Sequence, residues 1–212
     1  MTITWYGQSC FRIDTREAVL AIDPFSKGIG LTPPRFRADI LLITHPHPDH
    51  ANAEAIGGEP TVIAGPGEYE VKGVTIRGIP TFHDAEHGKR RGANTAFTIT
   101  AEGLRVVHLG DFGESSLREE TAEAIGATDV LLIPVGGTYT IDGTAAAKIV
   151  SHIEPKLAIP MHFALPGLTI KLAPVEGFLR AWGGEPERLP KLSLRTRDLA
   201  AERTRVTILE LA

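Results

Sequence analysis

Apolar and polar residues alternate at the start of the chain and then give way to solid apolar runs. Thr2–Tyr6, Cys10–Asp14 and Val19–Ile22 are short segments separated by turn residues, and they predict an antiparallel meander. From Asp39 to Thr44 the pattern becomes continuous, Ile-Leu-Leu-Ile, as in a strand buried on both faces. Thr61–Ala64, Val74–Arg77, Thr95–Thr100 and Arg105–Leu109 continue the β pattern. Beyond residue 115 the period lengthens. Leu117, Thr121, Ala124 and Ile125 share one helical face, with Ser116 and Glu119 reading as a capping box and Gly126 as a stop. Val130–Val135 is an apolar strand, Asp142 caps a helix that ends before Pro155, and Leu157–Pro160 is the next strand. A helix around Val175–Trp182 and a strand at Thr204–Leu209 close the pattern. A meander followed by strand–helix alternation predicts one α/β domain over residues 1–212, with two sheets and helices outside them. The pattern does not set the strand order.

Composition narrows the functional classes. The net charge of -4 over 212 residues gives no support to a long nucleic-acid partner. The one cysteine, Cys10, excludes an internal disulfide framework and reads as a small buried strand residue. No apolar run approaches the roughly 20 residues that span a bilayer. The opening residues lack a basic segment followed by an apolar run, so no export signal is expected. A cytoplasmic protein acting on a small molecule is the expectation, with homo-oligomerisation left open.

The candidate chemistry sits directly after the most apolar strand. His45-Pro-His47-Pro-Asp49-His50 places four ligand-type side chains within six residues. The two prolines restrict the loop and lower the entropy cost of gathering its side chains. Imidazole and carboxylate suit zinc, and also iron or manganese. The bland alternative is a polar turn rich in histidine. Three later ligand-type residues weigh against it. His83 follows the strand-like Val74–Ile79, Asp111 follows Arg105–Leu109, and His162 follows Leu157–Pro160. Seven ligands exceed the three plus water of one catalytic zinc and suit two ions sharing a carboxylate.

On these residues the chain resembles the metallo-β-lactamase superfamily. His45 to His50 has the form of its signature, and His83, Gly110-Asp111 and His162 match its remaining motifs in order and approximate spacing. Asp23, in Ala21-Ile-Asp-Pro24, matches its first motif. The resemblance runs from Trp5 to about Leu165. Residues 88–94 (GKRRGAN) and 134–142 (PVGGTYTID) are similar to a branch of small bacterial and archaeal hydrolases that includes ascorbate-6-phosphate lactonase. The resemblance implies an αββα four-layer sandwich with the site along one edge. It implies that His45, His47 and His83 hold one metal, that Asp49, His50 and His162 hold a second, and that Asp111 bridges them. It places Asp23 behind the ligands and lets Asp49 also orient the attacking water. His83 is preferred to His87 because it follows a strand, whereas His87 lies in a charged stretch.

The expected activity is hydrolysis of a small anionic ester, a phosphodiester or lactone, by a hydroxide held between two Zn2+ ions, with Mn2+ or Fe as alternatives. An iron-dependent oxidoreductase resembling persulfide dioxygenases is the competing class. An RNA-processing nuclease and a non-catalytic metal-binding protein rank below both. Around the site, Arg90 and Arg91, beside Lys89, are candidates for an anionic substrate group, or else a solvated turn. Thr138 and Tyr139, after Gly136-Gly137, are candidates for positioning substrate, or else a loop shaped for folding. His108 is expected in the core behind the ligands and His152 on the surface. Trp5, Tyr6, Phe11 and Phe97 read as core. Residues after Leu165 are expected to complete the second layer and cover part of the site.

Overall fold

The structure is a computed structural model and describes residues 1–199 and 203–212. The meander forms as β1 (Thr2–Gly7), β2 (Cys10–Asp14) and β3 (Val19–Ile22), followed by β4 (Phe36–Arg37), β5 (Ile40–Leu42), β6 (Ile56–Gly57) and β7 (Thr61–Ile63). Next come β8 (Gly67–Val71), β9 (Val74–Phe82), β10 (Ala93–Ala101), β11 (Leu104–His108), α1 (Glu119–Ile125), β12 (Val130–Pro134), α2 (Gly143–Ile153) and β13 (Leu157–Met161). The chain closes with α3 (Glu176–Trp182), β14 (Glu187–Leu189), β15 (Leu192–Ser193) and β16 (Arg205–Leu209).

Two sheets pack face to face. One runs β15-β1-β2-β3-β5-β7, the other β14-β16-β13-β12-β11-β10-β9-β8. The core between them takes alternate residues of each strand. Leu20, Ile22, Ile40 and Leu42 face it, while Ala21 and Leu41 on the opposite face pack with Ala38 and Ile56. This two-sided burial explains why β5 lacks alternation. α1 packs on β9 and α2 on β12, with α3 on α2, so helices cover the eight-stranded sheet. Over the six-stranded sheet lie the β4–β6 ribbon and a one-turn 3-10 helix at Ala53–Ala55.

Strand direction is what builds a site. β1 and β3 both run antiparallel to β2, and β5 is parallel to β3. β9 and β11 both run antiparallel to β10, while β12 and β13 continue parallel to β11. The C-terminal ends of all these co-directed strands therefore gather at one edge, where open α/β sheets place their ligands.

Three expectations need correction. The Val74–Arg77 strand runs on to Phe82, through Gly78 and Pro80. Pairing with β8 stops at Gly78, so Pro80 faces no partner there and its missing N–H costs nothing. Ser116 and Glu119 form no capping box. The helix starts at Glu119 after Arg118, whose guanidinium instead pairs with Glu114, while Leu117 is drawn into the core. Tyr6 is only half-buried, stacked on Phe36 at 5.0 Å outside the main core. By contrast Asp142 does cap α2, its carboxylate accepting from the Ala145 N–H at 2.9 Å. β8, β14 and β15 were invisible in the pattern because they are sheet edges with few or no buried side chains. The C-terminal segment serves both layers, β15 pairing with β1 and β16 with β13.

Candidate metal centre

The loop after β5 is held from below by Asp23, which follows β3. This carboxylate is fully buried. Its Oδ1 accepts the Thr44 N–H at 2.8 Å, and its Oδ2 accepts the Thr44 hydroxyl at 2.7 Å. The same Oδ2 lies 2.9 Å from His50 Nδ1. A carboxylate only accepts, so His50 donates from Nδ1 and its Nε2 carries a free lone pair. Thr44 has given its one proton to Asp23, so its oxygen accepts from His45 Nδ1 at 2.9 Å, and His45 Nε2 is likewise free. One carboxylate thus sets the tautomers of two histidines, as partners behind metal ligands do. Both Nε2 atoms are buried and lack a partner within the protein.

These orphaned atoms face the others. Nitrogen or oxygen atoms of His45, His47 and His83 lie within 4.8 Å of one another, as do those of Asp49, His50 and His162. Asp111 stands between the trios. Its Oδ2 is 3.2 Å from His83 Nε2, 3.3 Å from His162 Nε2 and 3.9 Å from His45 Nε2, and its Oδ1 is 3.3 Å from His50 Nε2. His83 is buried in this cluster, whereas His87 is exposed and stands edge-on to Phe82 at 5.4 Å. The seven side chains read from the sequence are therefore brought together, and His87 is not.

Asp111 is aimed by its own support. Its N–H donates to Asn94 Oδ1 at 3.0 Å, and Asn94 Nδ2 donates to the Leu109 carbonyl at 2.9 Å. Gly110 is required between them: its φ is 58°, and a Cβ there would sit 2.4 Å from Asn94 Oδ1. His108 is fully buried, accepting the Gly110 N–H at Nδ1 and donating from Nε2 to the Ser9 carbonyl at 2.9 Å. It braces the turn and does not enter the cluster.

The electrostatics favour a cation. Burial opposes ionisation of Asp111, yet the charges of His162 and His50 hold its pKa well below the ordinary carboxylate value. Burial likewise opposes Asp49, and the hydrogen bond and charge of His50 lower it. His45 is pushed down to about 3 by burial and by neighbouring His50, so it is neutral and ready to ligate. His50 behaves oppositely: burial would lower it, but Asp111 and Asp23 raise it well above its usual value. A bound cation would take the place of the second proton on His50. Two ionised carboxylates and five imidazoles then form a donor set of hard oxygens and borderline nitrogens, which fits zinc and its neighbours in the first transition row.

The cluster opens into a cleft of about 340 Å³ lined by His47, Asp49, His83, Asp111, His162, Arg91, Tyr139 and Ile170. Arg91 Nη2 donates to the Thr138 carbonyl at 3.2 Å, and its guanidinium lies 5.3 Å over the Tyr139 ring. Its loop is shaped by Asp84, whose carboxylate accepts the N–H groups of Glu86, Gly88, Arg90 and Arg91 at 2.8 to 3.0 Å. Arg90 does not line the cleft. It is 68 % exposed and pairs with Glu86 at 3.1 Å. Thr138 contributes its carbonyl to Arg91, and its hydroxyl is not part of the lining. Sequence reasoning missed Gln8, Ser9, Thr44, Asn94 and Ile170. The available signal was a polar Gln-Ser pair inside an otherwise apolar hairpin, and an Asn within a β-branched strand.

Comparison with known proteins agrees with the fold. The family model described as the beta-lactamase superfamily domain matches residues 2–162. A UPF0173 metal-dependent hydrolase of Thermoplasma acidophilum is 29% identical over 191 residues, covering 77% of this chain and 83% of the relative. One from Pyrococcus abyssi is 31% identical over 189 residues, with 76% and 84% covered. A solved structure from Thermotoga maritima, described as a candidate Zn-dependent hydrolase of the metallo-β-lactamase superfamily, superposes with a TM-score of 0.83 at 35% identity, covering 99% of this chain and 98% of that one. The chain belongs to the metallo-β-lactamase superfamily, and within it to the UPF0173 family of metal-dependent hydrolases. No helix among the described residues is long and apolar enough to cross a membrane.

Proposed function

We propose that the chain is a dinuclear hydrolase that uses two zinc ions to cleave a small anionic ester, a phosphodiester or a lactone. The observation that carries this reading is Asp111, one buried carboxylate facing histidines of both trios through its two oxygens. A carboxylate so placed can be shared between two ions. His45, His47 and His83 would hold one ion and Asp49, His50 and His162 the other, with Asp111 shared. When bound, the ions acidify water into a nucleophile at neutral pH and take up negative charge developing on the substrate.

The protein's own groups do the rest. Asp49 is ionised and 21 % exposed at the cleft wall, so it can accept a hydrogen bond from the attacking water and orient it. Arg91 is the one cation lining the cleft among the described residues, and it is held there by Thr138 and Tyr139. It would receive the anionic group of the substrate, while Tyr139 and Ile170 offer apolar surface to its body. A cleft of this volume admits a small molecule and not a folded polymer.

The test is elemental analysis of protein purified without added metal, with hydrolysis of bis(p-nitrophenyl) phosphate and a lactone panel followed alongside. About two zinc ions per wild-type chain are expected, with Asp111→Ala both metal-poor and inactive. Full activity and normal metal content in Asp111→Ala would refute the reading. A single iron with oxygen-dependent turnover would replace it with the oxidoreductase class.

A further inference from the structure

The turn between β1 and β2 is built as part of the metal centre although it holds no ligand. Gln8 occupies a left-handed conformation, φ 50°, which costs energy for a residue other than glycine. It is fully buried. Its carbonyl accepts both the Trp5 Nε1–H and the His162 backbone N–H at 3.0 Å. Its side-chain Nε2 donates to Asp49 Oδ2 at 3.1 Å. Its Oε1 is buried without a partner. Next to it, the Ser9 hydroxyl donates to Asp111 Oδ1 at 3.4 Å. An apolar side chain would fill the same buried position without stranding an amide oxygen, so packing alone gives no reason for an amide here. The bond to Asp49 does.

We propose that Gln8 is a positioning residue that governs occupancy of one of the two metal sites, the one formed by Asp49, His50 and His162. The inference rests on the two-ion reading. Its physical content is an asymmetry. Gln8 holds the Asp49 carboxylate through its side chain and the His162 backbone through its carbonyl, and it makes no hydrogen bond to His45, His47 or His83. Partners of this kind orient the ligand and keep it in its ionised form, and losing one weakens metal binding about 10–100-fold. Without its amide donor Asp49 is free to turn toward water, since it is the most exposed carboxylate of the cluster.

The experiment is zinc titration of the metal-depleted full chain against a competing chelator, in wild type, Gln8→Met and Gln8→Asn. Methionine keeps the length of the side chain and removes the amide. Asparagine tolerates the left-handed backbone but is one carbon too short to reach Asp49. In each variant one zinc equivalent should weaken about 10–100-fold and the other bind as in wild type. The retained equivalent should be the one that His83→Ala removes. Two equivalents as tight as in wild type, or both weakened alike, would overturn the proposal. A wild-type chain that takes up only one zinc would instead overturn the two-ion reading, and this inference with it.

Discussion

Replacing Asp23 by Asn tests the logic of the whole centre with almost no change in shape. The amide oxygen can still take the Thr44 N–H. The other position becomes NH2, which cannot accept, so the Thr44 hydroxyl and His50 Nδ1 both lose their acceptor. Hydrogen bonds to a charged group contribute about 1.5–3 kcal/mol each, so two of them amount to at least about 3 kcal/mol. Relief from burying a charge offsets part of this, which favours the lower end of the range. At about 2–4 °C per kcal/mol for a chain of this size, the metal-depleted variant should melt roughly 6–12 °C below wild type. The effect on metal is larger in kind. With no acceptor at Nδ1, His50 is free to move its proton to Nε2, the atom that faces Asp111, and His45 loses the relay through Thr44 that set its own tautomer. Zinc affinity should fall by about 10–100-fold. Thermal melts of chelator-treated protein and a zinc titration read the two effects separately. A melting temperature within about 1 °C of wild type together with unchanged zinc affinity would show that Asp23 does not set the tautomers.

Arg91→Ala should raise KM for an anionic ester about tenfold, the size of one lost charged hydrogen bond, while Arg90→Ala leaves it unchanged; equal effects from the two would place substrate outside the cleft. Asp84→Asn should loosen the loop that carries Arg91 and lower the melting temperature at pH 7. Burial opposes ionisation of Asp84, but four backbone N–H groups win and lower its pKa. Its contribution is therefore complete above the ordinary carboxylate pKa of about 3.9 and lost as pH falls through the lower folded value, so the gap to wild type should close in acid. A gap that stays constant down to pH 2 would exclude the carboxylate as its cause. A 1–165 fragment should not fold, because it lacks Phe178, Leu192, Val206, Ile208 and Leu209 of the core and the partner strands β15 and β16. A soluble fragment with native circular dichroism would contradict this.

Most strands and all three helices can be read from the local pattern, because burial of one face is written locally as period 2 or 3.6 and helix ends carry caps and stops. The ligand loop 45–50 is legible for a similar reason: four ligand-type residues within six positions form a local pattern that needs no knowledge of the fold. His83, Asp111 and His162 were reachable only as residues that follow apolar strands. What brings them together is the shared direction of β5, β9, β11 and β13, and strand direction depends on pairings between residues far apart in the chain. The choice of His83 over His87 turned on β9 running three residues past Ile79 to Phe82, next to His83, through a proline whose missing N–H faces no partner once β8 has ended. Arg91 and Arg90 are adjacent and chemically alike, and the Asp84-bound turn alone sends one to the cleft and the other to Glu86. Gln8 and Ser9 show only as a polar pair at a hairpin turn, and nothing local marks them as neighbours of Asp49 and Asp111. The sequence by itself determined which chemistry the chain can carry, because ligand type and hydrophobic period are properties of neighbouring residues. The tertiary structure decided which of those residues face one another, because that depends on the summed packing of both sheets.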